Sequence, residues 1–319
     1  MPNSTPSVCH VRMCCRADDP SRSSPVTSST DVDHAGLRRA CALAELSYSS
    51  ATLLHRHATA VYLLEPLSVV ARVSSGQDNR NRARTAVRIA QWLNEQSFPA
   101  VAPVDVDQPV EIGEQTVTLW HYYSQHGRPA PGAEYLGELL RGLHQLPDLP
   151  PVPLEPYEPL ASLGTALASA TSLNDDDRKW VQHRRSQLLD AYRGLNSTLG
   201  RGLIHGDAYP GNTLWDGKRV VLGDWDEVAY GPRELDLTNT HQGARFGRST
   251  AECERLSTAY GWDVTRWQGY RVLCKLRELH TLAVYIRRSD RGDSVAVAEL
   301  EHRVRTLRTD DTSAGWHTA

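Results

Sequence analysis

The stretch Leu203–Asp226, LIHGDAYPGNTLWDGKRVVLGDWD, constrains this chain more than any other. An apolar lead-in runs into a polar loop that sets Asp207 and Asn212 five positions apart. Two short apolar runs then flank Asp216-Gly217, a favoured hairpin turn. Such a hairpin returns its second strand beside the first, so Asp224, just past that strand, comes close to Asn212. An amide oxygen and a carboxylate together are hard ligands suited to Mg²⁺, which keeps waters and substrate phosphates in its other positions. Asp207 then stands beside the metal without being needed as a ligand. It is free to orient a hydroxyl and accept its proton as that oxygen attacks a phosphoryl group.

The rest of the chain supplies two unlike halves. At 319 residues it has room for one large domain or two modest ones. Residues 1–30, rich in Ser, Pro, Thr and Asp, read as a disordered extension. A helix is expected from Asp33, and residues 51–74 read as three short strands broken at HRHA and EPLS. A helical stretch follows at NRNRARTAVRIAQWLNEQ, then a hairpin turned at Gly113. Beyond Gly127 the texture becomes helical, starting with AEYLGELLRGLHQL. Six prolines from Pro147 to Pro159 make a stiff extended connection, and Ser172 or Asn174 can cap the helix that follows. From about Thr250 to Arg308 the chain is mostly helical, and the last residues read as loose. The expected division is therefore an N-lobe over 31–127, a C-lobe over 128–310 and a loose tail over 311–319. A cleft between two such lobes is the natural place for a ligand.

Several function classes lose support at this level. A net charge of −3 is too small to argue for a nucleic-acid or membrane partner. No apolar run approaches the roughly 18 residues of a membrane span and the N-terminus has no signal-like apolar core, so a cytoplasmic protein is expected. The six cysteines form no disulfide framework; Cys9, Cys14 and Cys15 cluster without a second ligand pair at finger-like spacing. RGDS at Arg291–Ser294 reads as a coincidental tetrapeptide on a helix-start turn. The sequence leaves the oligomeric state open.

His-x-Asp with an Asn five residues on, followed by a strand-borne Asp, matches the kinase catalytic loop. Gly206 in place of Arg, and the short run from Asp224 to YGPRELDL, set the chain apart from protein kinases. The set His205, Gly206, Asp207, Asn212, Asp224, Trp225, Asp226, Gly231, Pro232, Asp236 and Leu237 resembles the aminoglycoside phosphotransferase and choline kinase-like family of small-molecule kinases. The resemblance covers roughly residues 35–290. It implies an α+β, two-lobed protein-kinase-like fold, with a small strand-rich N-lobe and a larger helical C-lobe carrying the catalytic-loop hairpin. It also implies Asp207 as catalytic base, Asn212 and Asp224 as Mg²⁺ ligands, and His205 and Asp236 as braces of the loop.

By the same analogy Arg72 on the third strand holds the phosphates of ATP or GTP. A helix glutamate usually partners such a cation. The next helix offers none, so either Arg72 is held by something else or the phosphate grip differs. The loop over the phosphates is expected at His55–Thr59, with His57 and Thr59 as nucleotide contacts and Arg56 as a further cation. His55 and His57 form a His-x-His pair with no third metal ligand nearby. The base is expected at Trp120, His121 and Tyr122. Between His205 and Asp236 seven acidic residues face three basic ones. Asp226 and Glu227 are the part of that excess able to draw a cationic acceptor, with Tyr270 and Glu278 on the helix from Asp263 as further lining. The implied reaction is phosphoryl transfer to a hydroxyl of a small molecule, an antibiotic first, a sugar, choline-like or amino alcohol second. A nucleotide-binding pseudokinase scaffold is the rival from another class.

Overall fold

Short apolar runs over residues 50–75 set up the first layer. The computed structural model describes residues 29–56, 59–147, 150 and 152–317. Strands β1 (Ser50–Arg56), β2 (Ala60–Glu65), β3 (Val69–Ser75), β4 (Val110–Ile112) and β5 (Gln115–His121) form one antiparallel sheet in the order β1-β2-β3-β5-β4. Successive side chains point to opposite faces. Tyr62, Ala71 and Leu119 therefore pack on helix α1 (Ser29–Leu43) through Leu37, Ala40 and Cys41. Val61, Val70 and Trp120 join the larger core on the other face. Arg72, two residues after Val70, shares that second face and looks toward the rest of the molecule.

Helix α2 (Gln77–Glu95) lies over this face through Ala86, Val87, Ile89 and Leu93. The segment after it is tied to the C-terminal half: Val101 N–H donates to Leu222 O at 2.9 Å and Leu222 N–H to Pro99 O at 2.8 Å. A second tie is Gln125, whose side chain bonds the backbone of Trp215 at 3.0 and 3.2 Å.

The helical half comprises α3 (Ala133–His144), α4 (Ala161–Ser169), α5 (Asp175–Arg193), α6 (Glu234–Gln242), α7 (Thr250–Tyr260), α8 (Tyr270–His280), α9 (Leu282–Ser289) and α10 (Ser294–Arg308). Gly137 lets α3 and α7 touch; a Cβ there would stand 2.5 Å from Leu256 O. Of the two candidate caps of α5, Asn174 serves, accepting from Asp177 N. Inside this half sit two small ladders, β6 (Arg201–Ile204) with β9 (Ala229–Pro232), and the hairpin β7 (Thr213–Asp216) with β8 (Arg219–Leu222).

The structure corrects several expectations. The hairpin turns at Gly217-Lys218, because Asp216 pairs with Arg219 and Gly217 takes the positive φ of 58°. The helix expected from Asp263 starts at Tyr270; Asp263 instead caps a short turn by accepting from Thr265 N. Helix α4 falls between the proline-rich connection and the capped helix, in a stretch without an expected element, its ASLGTALAS carrying little amphipathic signal. Arg56, expected as a further cation over the phosphates, pairs with Asp33, which also accepts from Tyr62 and Gln115, so it fastens α1 to the sheet.

The tail is not loose from Asp311 to His317. Trp316 is buried between the guanidinium groups of Arg245 and Arg303, 4.6 and 4.8 Å from its ring, and Tyr285 donates to His317 O. In RGDS, Asp293 caps α10 through Val295 N and Ala296 N. His57, Cys9, Cys14, Cys15 and all but the last two residues of the expected extension lie outside the described residues. Cys41, Cys253 and Cys274 are free thiols.

Candidate active site

The loop after β6 is built around one buried carboxylate. Asp236, on the first turn of α6, accepts from His205 N at 2.8 Å and Gly206 N at 2.9 Å. His144 of α3 reaches the same carboxylate at 3.1 Å through Nε2, and its Nδ1 meets Tyr260 Oη at 2.9 Å. Burial alone pushes the Asp236 carboxyl up, but His144, His205 and these N–H donors more than offset it and hold the group below the usual carboxylate range. His205 bonds Gly223 O through Nε2 at 2.8 Å and accepts from Asp207 N through Nδ1 at 3.3 Å. A carbonyl can only accept, so the proton sits on Nε2. His205 thus joins the loop carrying Asp207 to the strand end carrying Asp224.

Gly206 makes that approach possible. Its φ is +82°, and a Cβ there would lie 2.1 Å from Glu227 O. Gly206→Ala is expected to cost at least about 2 kcal/mol, since left-handed strain of ~1–2 kcal/mol adds to a backbone clash. A urea unfolding midpoint within experimental scatter of the parent would contradict this.

The loop and the end of the hairpin lie side by side. Gly223 N donates to Asn212 O at 2.8 Å, fastening Asn212 beside the residue that precedes Asp224. The Asn212 Nδ2 donates to Asp207 O at 2.9 Å, leaving its amide oxygen free of that bond. Asp224 sits in the left-handed region at φ 63°, ψ 61°, an uncommon state for a residue other than glycine. Burial raises its carboxyl, but Arg72 outweighs this and holds it low. An amide oxygen and an ionised carboxylate on one wall fit a divalent cation that keeps other positions for phosphate.

Asn212 and Asp224 line a cavity of about 210 Å³ between the sheet and the hairpin. Its walls are apolar at Leu54, Val61, Val70 and Leu214, and Trp120, His121 and Tyr122 lie along its edge. Trp120 Nε1 is already bonded to Thr118 Oγ1, and the N–H groups of His121 and Tyr122 donate to Ala102 O and Ser68 O. Arg72 also lines this cavity, while Thr59 lies in a neighbouring one of about 110 Å³ with Arg72, Arg82, Asp226 and Glu227.

Residues that sequence reasoning did not single out complete the charge pattern. Arg277 of α8 donates to Asp207 Oδ1 at 2.6 Å and Asn239 of α6 reaches the same oxygen at 3.3 Å. Recession from water raises the Asp207 carboxyl; Arg277 opposes and Asp224 adds, and the net shift is upward. Arg72 pairs with Asp224 at 2.9 Å and also with Asp226. Arg82 of α2 pairs with Glu227, and Arg245 with Glu278 at 2.6 Å.

Asp226, Glu227 and Glu278, the acids expected to draw a cationic acceptor, each already carry an arginine. Glu278 stands about 100° round α8 from Arg277 and so misses Asp207. Tyr270 stacks edge-on against His241 at 5.5 Å. Helical spacing placed α8 near the acceptor side, but no local signal in the sequence marks Arg277 as the residue that turns inward.

The family model of the phosphotransferase enzyme family APH matches residues 51–273, from β1 into α8 and including every residue of the loop and hairpin. The chain belongs to that family. Solved structures share the fold of this phosphotransferase over most of their length. Amicoumacin kinase hAmiN, in complex with AMP-PNP, Ca²⁺ and Ami, is 14% identical with a TM-score of 0.67, covering 91% of this chain and 98% of that one. The microcompartment-associated aminopropanol kinase is 15% identical with a TM-score of 0.65, covering 89% and 99%. A choline/ethanolamine kinase family protein from Mesorhizobium loti is 17% identical with a TM-score of 0.62, covering 87% and 94%. No curated protein matches the sequence. Among the described residues no helix is long and apolar enough to cross a membrane.

Proposed function

We propose that this phosphotransferase moves the terminal phosphoryl group of ATP or GTP to a hydroxyl of a small molecule. The observation that carries the reading is that Asn212 and Asp224 line a cavity between the sheet and the hairpin, with Asp207 joined to Asn212 through its backbone carbonyl. Asp207 takes the proton of the acceptor hydroxyl, its orientation held by Arg277 and Asn239. Asn212 and Asp224 would hold Mg²⁺, which supplies charge neutralisation for the phosphates. Arg72 forks onto phosphate oxygens, and the apolar walls around Val61, Val70 and Leu214 take the base. His205 and Asp236 keep the loop and the hairpin in register.

For the acceptor, an antibiotic inactivated by phosphorylation is the first candidate, in line with the amicoumacin kinase fold. A sugar, a choline-like alcohol or an amino alcohol is the second, in line with the aminopropanol kinase. Because the acids near Asp207 are paired with arginines, neutral and anionic hydroxylated compounds belong in the test beside amines.

The test is nucleoside diphosphate release from Mg·ATP and Mg·GTP against pooled aminoglycosides, nucleoside and peptide antibiotics, sugars, hydroxy acids and amino alcohols. Release is expected with one pool and is expected to stop on chelation of the divalent cation. Tight nucleotide binding without turnover in every pool would instead favour the scaffold reading.

A further inference from the structure

A cation on the third strand needs an acidic partner to hold it over the phosphates, and in kinases a helix glutamate serves. Helix α2 carries only Asp78 and Glu95 as acids, at its two ends. Arginines in its N-terminal half reach outward to acids on other elements: Arg80 and Arg84 to Glu111, Arg82 to Glu227. The usual polarity between helix and strand is thus absent from this chain.

The partner comes from the opposite lobe. Arg72 Nη2 bonds Asp224 Oδ1 at 2.9 Å and Asp226 Oδ2. The two carboxylates are two residues apart, and the left-handed backbone at Asp224 lets both turn toward β3. They are not equivalent. Asp224 shares the nucleotide cavity with Asn212, whereas Asp226 lies in the neighbouring cavity beside Arg82 and Thr59. If Asp224 is occupied by a cation and phosphate, Asp226 is the carboxylate that still holds Arg72. Without Asp226, Arg72 would be left with Asp224 alone and would compete with the metal for it.

We propose that Asp226 is the positioning residue of Arg72, doing from the C-lobe hairpin what a helix glutamate does in other kinases. The inference rests on the reading of Asn212, Asp224 and Arg72 as the Mg·nucleotide site. It gives Asp226 a role distinct from metal ligation and from attraction of the acceptor. It also joins the two lobes across the nucleotide cavity, with Arg82–Glu227 as a parallel tie.

The experiment is a double-mutant cycle read as binding of Mg·ATP and Mg·GTP by calorimetry, with no acceptor present. Arg72→Gln is expected to weaken binding roughly 10- to 100-fold, the range for a charge-assisted contact, and Asp226→Asn by about tenfold. In the Arg72→Gln background, Asp226→Asn is expected to add less than about twofold, because its partner is already gone. Asp226→Glu keeps the charge and is expected to bind within about threefold of the parent, with an unchanged thermal midpoint as the check on folding.

An equal loss from Asp226→Asn in both backgrounds, as a direct metal ligand would give, overturns the proposal. So does an Asp226→Glu protein that folds normally yet binds as poorly as Asp226→Asn. Failure of the parent protein to bind either Mg·nucleotide would overturn the underlying reading of the site. An additive cycle on a parent that binds would overturn the role of Asp226 alone.

Discussion

Asp207→Asn is expected to lower turnover by roughly 10²–10⁴-fold while leaving nucleotide affinity within a few-fold of the parent, because it removes a proton acceptor and little volume. Steady-state release of diphosphate and calorimetric nucleotide binding, measured on one preparation, separate the two effects. A variant that keeps more than a tenth of parental turnover would remove Asp207 from the chemistry. The same residue sets an expected pH profile. Its carboxyl is raised above the ordinary value near 4 by recession from water, against the pull of Arg277. As the proposed base Asp207 works only when ionised, so activity is expected to fall on acidification through a value above that of a free aspartate. Arg277→Met removes the opposing cation and is expected to move this acid limb further up. An acid limb that moves down in Arg277→Met would contradict the assignment.

Asp236→Ala is expected to destabilise the fold by about 3–5 kcal/mol, the cost of breaking a buried, hydrogen-bonded charge and orphaning its partners. Asp236 is fully buried; the substitution leaves the N–H groups of His205 and Gly206 without an acceptor and His144 Nε2 without its carboxylate. The urea midpoint and far-ultraviolet dichroism report the loss. A change under about 1 kcal/mol would mean that water or a neighbouring group replaces the carboxylate, as at an exposed pair. Because the folded-state pKa lies below the unfolded one, this stabilisation is present above the unfolded value near 4 and is lost as pH falls through the folded value. The parent is therefore expected to lose stability in acid in part through Asp236, and Asp236→Ala to lack that component.

Much of the loop after β6 is legible in the amino-acid sequence. Asp207, Asn212 and Asp224 are joined by a hairpin whose two strands are four residues each, so strand alternation and one turn suffice to bring them together. The five-stranded sheet is legible because its strands are short apolar runs broken at turn-forming residues, which needs no long-range information. What the sequence conceals is who pairs with whom across the chain. Arg277 meets Asp207 over 70 positions, His144 meets Asp236 over 92 and Arg72 meets Asp226 over 154. The excess of acids between His205 and Asp236 suggests a site that draws cations. The arginines that neutralise Asp207, Asp226 and Glu227 lie outside that window, on α8, β3 and α2.

The physical reason is range. Strand period, helix caps and hairpin turns are set by neighbours a few residues away, and the sequence by itself determined the loop, the hairpin and the three oxygens they present. Charge pairing is set by distance in space, and one arginine looks like another until the chain is folded. Only the tertiary structure decided that Arg72 is held from the C-lobe hairpin, that Arg277 turns toward Asp207, and that Trp316 closes the tail between two guanidinium groups.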